Sequence, residues 1–157
     1  MEARLNVFEI PTMTKAFKGI VAAGRATADS SVPAATLELV KIRASQLNGC
    51  GFCLDMHTKE AAHAGETSLR LNLIAAWREA TVFTEAERAA LELTEQLTRI
   101  ADAAGGVTDE AWANAAKHYD DEELGALVLA IAVINTFNRI NVAVQQPAGD
   151  YRLGQFG

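Results

Sequence analysis

The sequence predicts an all-α fold, and three observations carry that prediction. Prolines stand only at Pro11, Pro33 and Pro147, so the chain from Ala34 to Gln146 is free of them. An interior proline removes a backbone donor and clashes with the preceding turn, which costs a helix about 3 kcal/mol. Alanine, the strongest helix former, is the commonest residue. No alternating apolar stretch flanked by hairpin turns stands out.

The elements follow from local signals. A first helix is expected from Thr12 to Ala28, with Met13, Phe17, Ile20 and Val21 on one face and Asp29-Ser30-Ser31 as its break. Pro33 opens a second helix, where its missing N–H is harmless. Leu37, Val40, Ala44 and Leu47 form the apolar stripe of that helix, and Asn48-Gly49 is a C-cap pair able to enter the left-handed region. A third helix begins around Gly51–Cys53 and runs to Ala64, stopped by Gly65. Thr67 or Ser68 caps a short fourth helix through Leu69, Leu73 and Trp77.

Thr84-Glu85-Ala86-Glu87 reads as a capping box, opening a long helix through Ala89, Leu93, Leu97 and Ile100 to Gly105-Gly106. Thr108 caps the next helix, with Trp112 inward. Asp120 or Asp121 starts the last one, through Leu124, Leu127, Val128, Ile131 and Ile134. The tail after Pro147 reads as irregular. The sum is one all-α domain over residues 1–157, of about six or seven helices.

Composition bounds the function. At 157 residues the chain matches a single domain. Half its residues are hydrophobic and 22% are charged, a globular composition. A formal charge of −6 with no basic patch argues against nucleic acid and against an anionic membrane surface as partners. The start, Met1-Glu2-Ala3-Arg4-Leu5, lacks the pattern of a signal peptide. The most apolar run, Leu124 to Ile134, is interrupted at Asn135 and reads as too short to span a bilayer. A soluble, cytoplasmic protein is therefore expected, in a compartment that keeps thiols reduced.

The only two cysteines are Cys50 and Cys53. Two are too few for a disulfide scaffold, and their spacing points to redox or metal chemistry. A Cys-x-x-Cys pair at a helix start can form a disulfide, and the polarised N–H groups there lower a thiol's pKa. His57 lies four residues after Cys53, on the same helical face, where it can exchange a proton with a thiolate. Three other readings compete: an inert buried pair, a zinc site, and a thioredoxin-like motif. A structural zinc site wants four ligands, and only Cys50, Cys53 and His57 cluster, with His63 or His118 as conceivable additions. A thioredoxin-like motif needs β-α-β patterning, which is not seen.

Glu38, then Asn48-Gly49-Cys50-Gly51-Phe52-Cys53, then His57, resembles the core of the alkylhydroperoxidase D (AhpD)-like proteins, in the carboxymuconolactone decarboxylase superfamily. Asn135-Thr136-Phe137-Asn138-Arg139, an apolar turn and Pro147 resemble the C-terminal end of many members. The resemblance implies an antioxidant thiol peroxidase. Cys53, paired with His57, is the implied peroxidatic thiolate and Cys50 the resolving thiol, closing a Cys50–Cys53 disulfide. Glu38 is implied as general base in a relay with His57. An external dithiol, in the best-known system a lipoyl group on a partner protein, reduces the disulfide. No metal, flavin or haem is implied, and the assembly is a homo-trimer or homo-hexamer.

One departure is Phe52, where the peroxidase prototype has a histidine, so the relay has one proton carrier fewer. The alternatives are a redox-sensing or zinc-binding oligomer and a lyase of the decarboxylase branch, which generally lacks the cysteine pair.

Other residues have plainer readings. Asp55 and Lys59, four apart, form an exposed pair of little consequence, and His63 is a surface residue. Lys41 and Arg43 are solvated or bonded to a neighbouring subunit. Trp77 and Trp112 are core or interface anchors. Asn135 and Asn138, one turn apart, satisfy buried backbone groups or line a subunit contact.

Overall fold

The computed structural model describes residues 2–103 and 105–156, and over them it is all-helical, with seven α-helices and one 3-10 turn. Met1, Ala104 and Gly157, which the single-domain reading includes, lie outside the described residues.

Helix α1 (Pro11–Ala28) places its proline in the first turn, and α2 (Ala34–Asn48) begins directly after Pro33. Val21, expected on the inner face of α1, is exposed, because α1 packs mainly on one neighbour, the last helix. The stripe expected for α2 is too narrow. Leu39 and Ile42 are as buried as Leu37, Val40 and Ala44, since α2 is enclosed between two apolar clusters. One cluster is shared with Ala90, Leu93, Leu127 and Ile131, the other with Trp77, Phe83 and Leu91. A helix buried on both sides loses amphipathic contrast.

Gly49, at φ 65°, ends α2 in the left-handed region and turns the chain into α3 (Gly51–His63). Thr67 caps α4 (Ser68–Leu73), which tightens into the 3-10 turn Ile74–Ala76 and stops short of Trp77. The Trp77 indole is buried, and its Nε1–H donates to Glu95 over 2.8 Å. Capping boxes open α5 (Glu85–Thr98) at Thr84/Glu87 and α7 (Asp121–Val144) at Asp120/Glu123, while Thr108 caps α6 (Asp109–Ala115).

Two expectations fail by one helical position or one turn. α5 ends at Thr98, so Ile100 lies outside it and is 56% exposed. In α6 the buried pair is Ala111 and Ala115, four apart, which turns the intervening Trp112 outward at 44% exposure.

The last helix is also longer than its apolar run implied. α7 passes through Asn135 because that side chain is satisfied within the bundle: Nδ2 donates to Ile131 O at 2.9 Å and to Thr98 Oγ1 at 3.0 Å. By length and composition α7 is the one described helix able to cross a membrane, which corrects the reading of this segment as too short. In this fold it packs against α1, α2, α3 and α5 as a core helix.

Lys41 and Arg43, expected to be solvated or bonded to a neighbouring subunit, each have a carboxylate partner within the chain. Lys41 Nζ meets Glu38 Oε1 at 2.7 Å, and Arg43 meets Glu95 at 2.7 Å. Burial pushes the Glu95 carboxyl upward, but donors from Arg78, Trp77 and Arg43 outweigh it and hold the group below the usual carboxylate range.

Candidate functional site

The site is built where α2 hands over to α3 beside the C-terminal half of α7. The left-handed Gly49 and the Cys50 N–H bond to Ser45 O, 3.0 Å, turn the chain so that Cys50 becomes the N-cap residue of α3. Cys53 is then the third residue of the helix, one turn inside. That geometry brings the sulfurs together: Cys50 Sγ and Cys53 Sγ stand 2.9 Å apart as free thiols. Both residues are 1% exposed, among Ala44, Ile134 and Phe137.

The structure unites the expected residues in two pairs. In the second pair, His57 Nδ1 and Glu38 Oε2 are 2.9 Å apart, while Lys41 holds the other Glu38 oxygen. Burial would raise the Glu38 carboxyl, but the hydrogen bond and charge of His57, with help from Lys41, bring it down to about 2. An ionised carboxylate can only accept, so His57 carries its proton on Nδ1 and keeps Nε2 for exchange. A group with a pKa of about 2 is a weak base near neutrality. Glu38 thus suits the orientation of His57 better than the general-base role expected for it.

The direct Cys53–His57 pair is not formed. Among the described residues no hydrogen bond joins them, and Cys53 Sγ meets Cys50 Sγ and Asn141 Nδ2, the latter at 3.3 Å. Hydrogen bonding from the Cys53 thiol lowers Cys50 to about 7 against the opposing effect of burial, and the carboxamides of Asn138 and Asn141 pull the same way. Cys53 is pushed up by its bond to Cys50, by burial and by the Cys50 charge. The two sulfurs therefore titrate as a pair, and the opposite directions of their shifts favour the anion on Cys50 over Cys53.

An asparagine ladder from α7 backs the pair. Asn48 Nδ2 donates to Asn135 Oδ1 and Asn138 Oδ1, each at 2.9 Å, and Asn138 Nδ2 donates to Ser45 Oγ at 3.0 Å. Asn135 thus satisfies a buried backbone carbonyl, as expected, and both asparagines also bind side chains, of α2 and, for Asn135, of α5. Asn141 continues the same stripe to the sulfur. The run Asn135, Asn138, Asn141 at a spacing of three, on one face of an otherwise apolar helix, is the sequence signal that could have marked it.

An open cleft of about 510 Å³ leads to Cys50, lined also by Gly51, Phe52, Asn141, Pro147 and Ala148. Its far wall is the C-terminal tail, irregular as expected but clamped. Asp55 Oδ2 accepts from the N–H groups of Gly149 and Tyr151 at 2.7 and 3.0 Å, while Lys59 Nζ donates to the carbonyls of the same two residues at 3.1 and 3.0 Å. Asp55 and Lys59 are therefore no idle surface pair. A Cβ at Gly51 would stand 3.2 Å from Ala148 Cβ, so a side chain there requires this wall to give by a few tenths of an ångström. Asp55→Ala should speed amide exchange at Gly149 and Tyr151 by about 10–100-fold, the equivalent of lost bonds to a charged acceptor. Unchanged exchange at these two amides would show that the clamp does not hold the tail.

His63 and His118 are exposed. Among the described residues, no three His, Cys, Asp or Glu side chains cluster in a way that could hold a metal ion.

Comparison with known proteins places the site in context. The sequence model of the carboxymuconolactone decarboxylase family matches residues 11–96, which include Glu38, both cysteines and His57. An uncharacterised Bacillus subtilis (strain 168) protein, YdfG, is 41% identical over 144 residues, covering 92% of this chain and 95% of its own length. The crystal structure of ATU0492 from Agrobacterium tumefaciens, a protein of unknown function described as a candidate antioxidant defence protein AhpD, superposes with a TM-score of 0.87 at 36% identity. That superposition covers 96% of this chain and all of the other. The debrominase Bmp8 shares the fold at a TM-score of 0.77, with 19% identity over 89% of this chain and 72% of its own.

Proposed function

We propose, for a chain that belongs to the carboxymuconolactone decarboxylase family, that it is an AhpD-like thiol peroxidase acting on organic hydroperoxides. The observation that carries the reading is the buried dithiol, with sulfurs 2.9 Å apart, one helical turn from a carboxylate-oriented histidine.

The reaction begins with Cys50 as thiolate and Cys53 as thiol. A proton shift across their contact puts the anion on Cys53, whose sulfur attacks the hydroperoxide oxygen. An S–O bond forms and the O–O bond breaks, leaving a Cys53 sulfenic acid and an alkoxide that takes a proton from the His57 relay. Cys50 then gives up its proton and attacks the Cys53 sulfur. The S–S bond forms, the S–O bond breaks, and hydroxide leaves as water with that proton. An external dithiol attacks the disulfide and is oxidised as both thiols are restored. Cys50 lines the cleft and is the sulfur an incoming thiolate reaches first.

The reductant fits a lipoyl group on a partner protein, working in the cytoplasm. Apolar residues left open on α7, Leu129 and Val142 among them, suit assembly into a homo-trimer or homo-hexamer.

The test is peroxide consumption with several dithiols, read beside mass spectrometry for a Cys50–Cys53 disulfide. Turnover with disulfide formation is expected. A stoichiometric zinc that blocks thiol titration, or activity on lactone acids that survives loss of both cysteines, would overturn the reading.

A further inference from the structure

We propose that Asn141 is a catalytic residue of this dithiol, a neutral hydrogen-bond donor that holds the anion formed on the Cys53 sulfur; the proposal rests on the thiol-peroxidase reading. Three features of the geometry point to it.

Asn141 Nδ2 donates to Cys53 Sγ at 3.3 Å, and the residue also lines the cleft, so it borders both the sulfur and the space from which an oxidant arrives. Its position is fixed. The left-handed Gln145 closes α7, with Gln145 N–H bonded to Val142 O and Gln146 N–H to the Asn141 carbonyl at 2.9 Å. The end of a helix presents carbonyls, which oppose a nearby anion. With the Asn141 carbonyl occupied and its carboxamide turned toward the sulfur, the α7 terminus offers a donor there instead.

The neighbouring cations are engaged elsewhere. Lys41 is paired with Glu38, Lys59 with Asp55 and the tail, and Arg139 with the Asn135 side chain and carbonyl. With both sulfurs out of water, an amide donor stabilises negative charge without a second buried ion.

The experiment isolates Cys53. In a Cys50→Ser background, the thiol is titrated by thiolate absorbance and by its rate of alkylation with iodoacetamide. This is done with Asn141 intact, with Asn141→Ala and with Asn141→Leu. Removing a donor to a charged sulfur should raise the midpoint by about one pH unit and slow alkylation below it by about tenfold. Asn141→Leu keeps nearly the size but has no donor and no charge, so its midpoint should rise by a similar amount. A packing role alone predicts that the near-isosteric Leu leaves the midpoint in place.

Superimposable titrations in the three proteins would overturn the proposal. Circular dichroism melts confirm that each is folded, and Asn141→Leu remains informative should Asn141→Ala lose its structure. No peroxide enters the titration, so a shifted midpoint together with a wild-type protein inert to peroxide retains the role of Asn141 and rejects the peroxidase reading.

Discussion

Cys53→Ser is expected to stop peroxide consumption altogether, by on the order of a thousandfold or more, as loss of a nucleophile does. Not even one equivalent of hydroperoxide should be consumed when the reduced variant is mixed with excess oxidant. Cys50→Ser should behave differently. It should consume one equivalent and halt, with a sulfenic acid on Cys53 that a dimedone label records by mass. The structure supplies the reason for the asymmetry. Cys53 is held protonated by its hydrogen bond to Cys50 and by the charge there. A serine at position 50 carries no charge at neutral pH, so Cys53 ionises more readily in that variant. Should Cys53→Ser take up one equivalent and Cys50→Ser none, the attacking sulfur is Cys50, the thiolate that borders the cleft. The two roles are then exchanged.

Glu38→Gln should weaken both stability and catalysis, and its stability effect has a defined pH window. The Glu38 carboxyl lies at about 2 in the folded protein against 4.5 for the free group. A lowered carboxylate stabilises the fold above its unfolded pKa and loses that contribution as pH falls through the folded one. The pair with His57 and Lys41 thus contributes on the order of 3 kcal/mol at neutral pH. Urea unfolding should separate wild type from Glu38→Gln by about this amount at pH 7. The gap should hold down to pH 4.5 and vanish toward pH 2. Asp55, Glu87 and Glu95 are lowered as well, but they are common to both proteins and cancel in the difference. A pH-independent gap would mean that the carboxylate charge is not what stabilises the pair. Turnover should fall about a hundredfold, because a neutral amide both donates and accepts and so no longer fixes the histidine's proton on Nδ1.

Much of the fold was legible because helix ends are chemical events between neighbours in sequence. Thr84 with Glu87, Asp120 as a helix start, and Asn48 before Gly49 each satisfy or turn the backbone within a few residues, and each does so in the structure. What failed depended on distant partners. Trp112 faces out because α6 buries Ala111 and Ala115 instead. Arg43 was assigned to solvent or another subunit because its acceptor, Glu95, lies 52 residues on. Asp55 and Lys59 read as an idle pair for the same reason: the tail they clamp is 90 or more residues away.

By itself, the sequence determined an all-α chain and the spacing of Glu38, Cys50, Cys53 and His57, because capping, proline placement and helical period act over a few residues. Only the tertiary structure decided how those four divide into a dithiol and an oriented histidine. It alone placed Asn141 on the sulfur and walled the cleft with the tail. Those are contacts between helices far apart in the chain, and burial, which sets the charge on each group, exists only once they have packed.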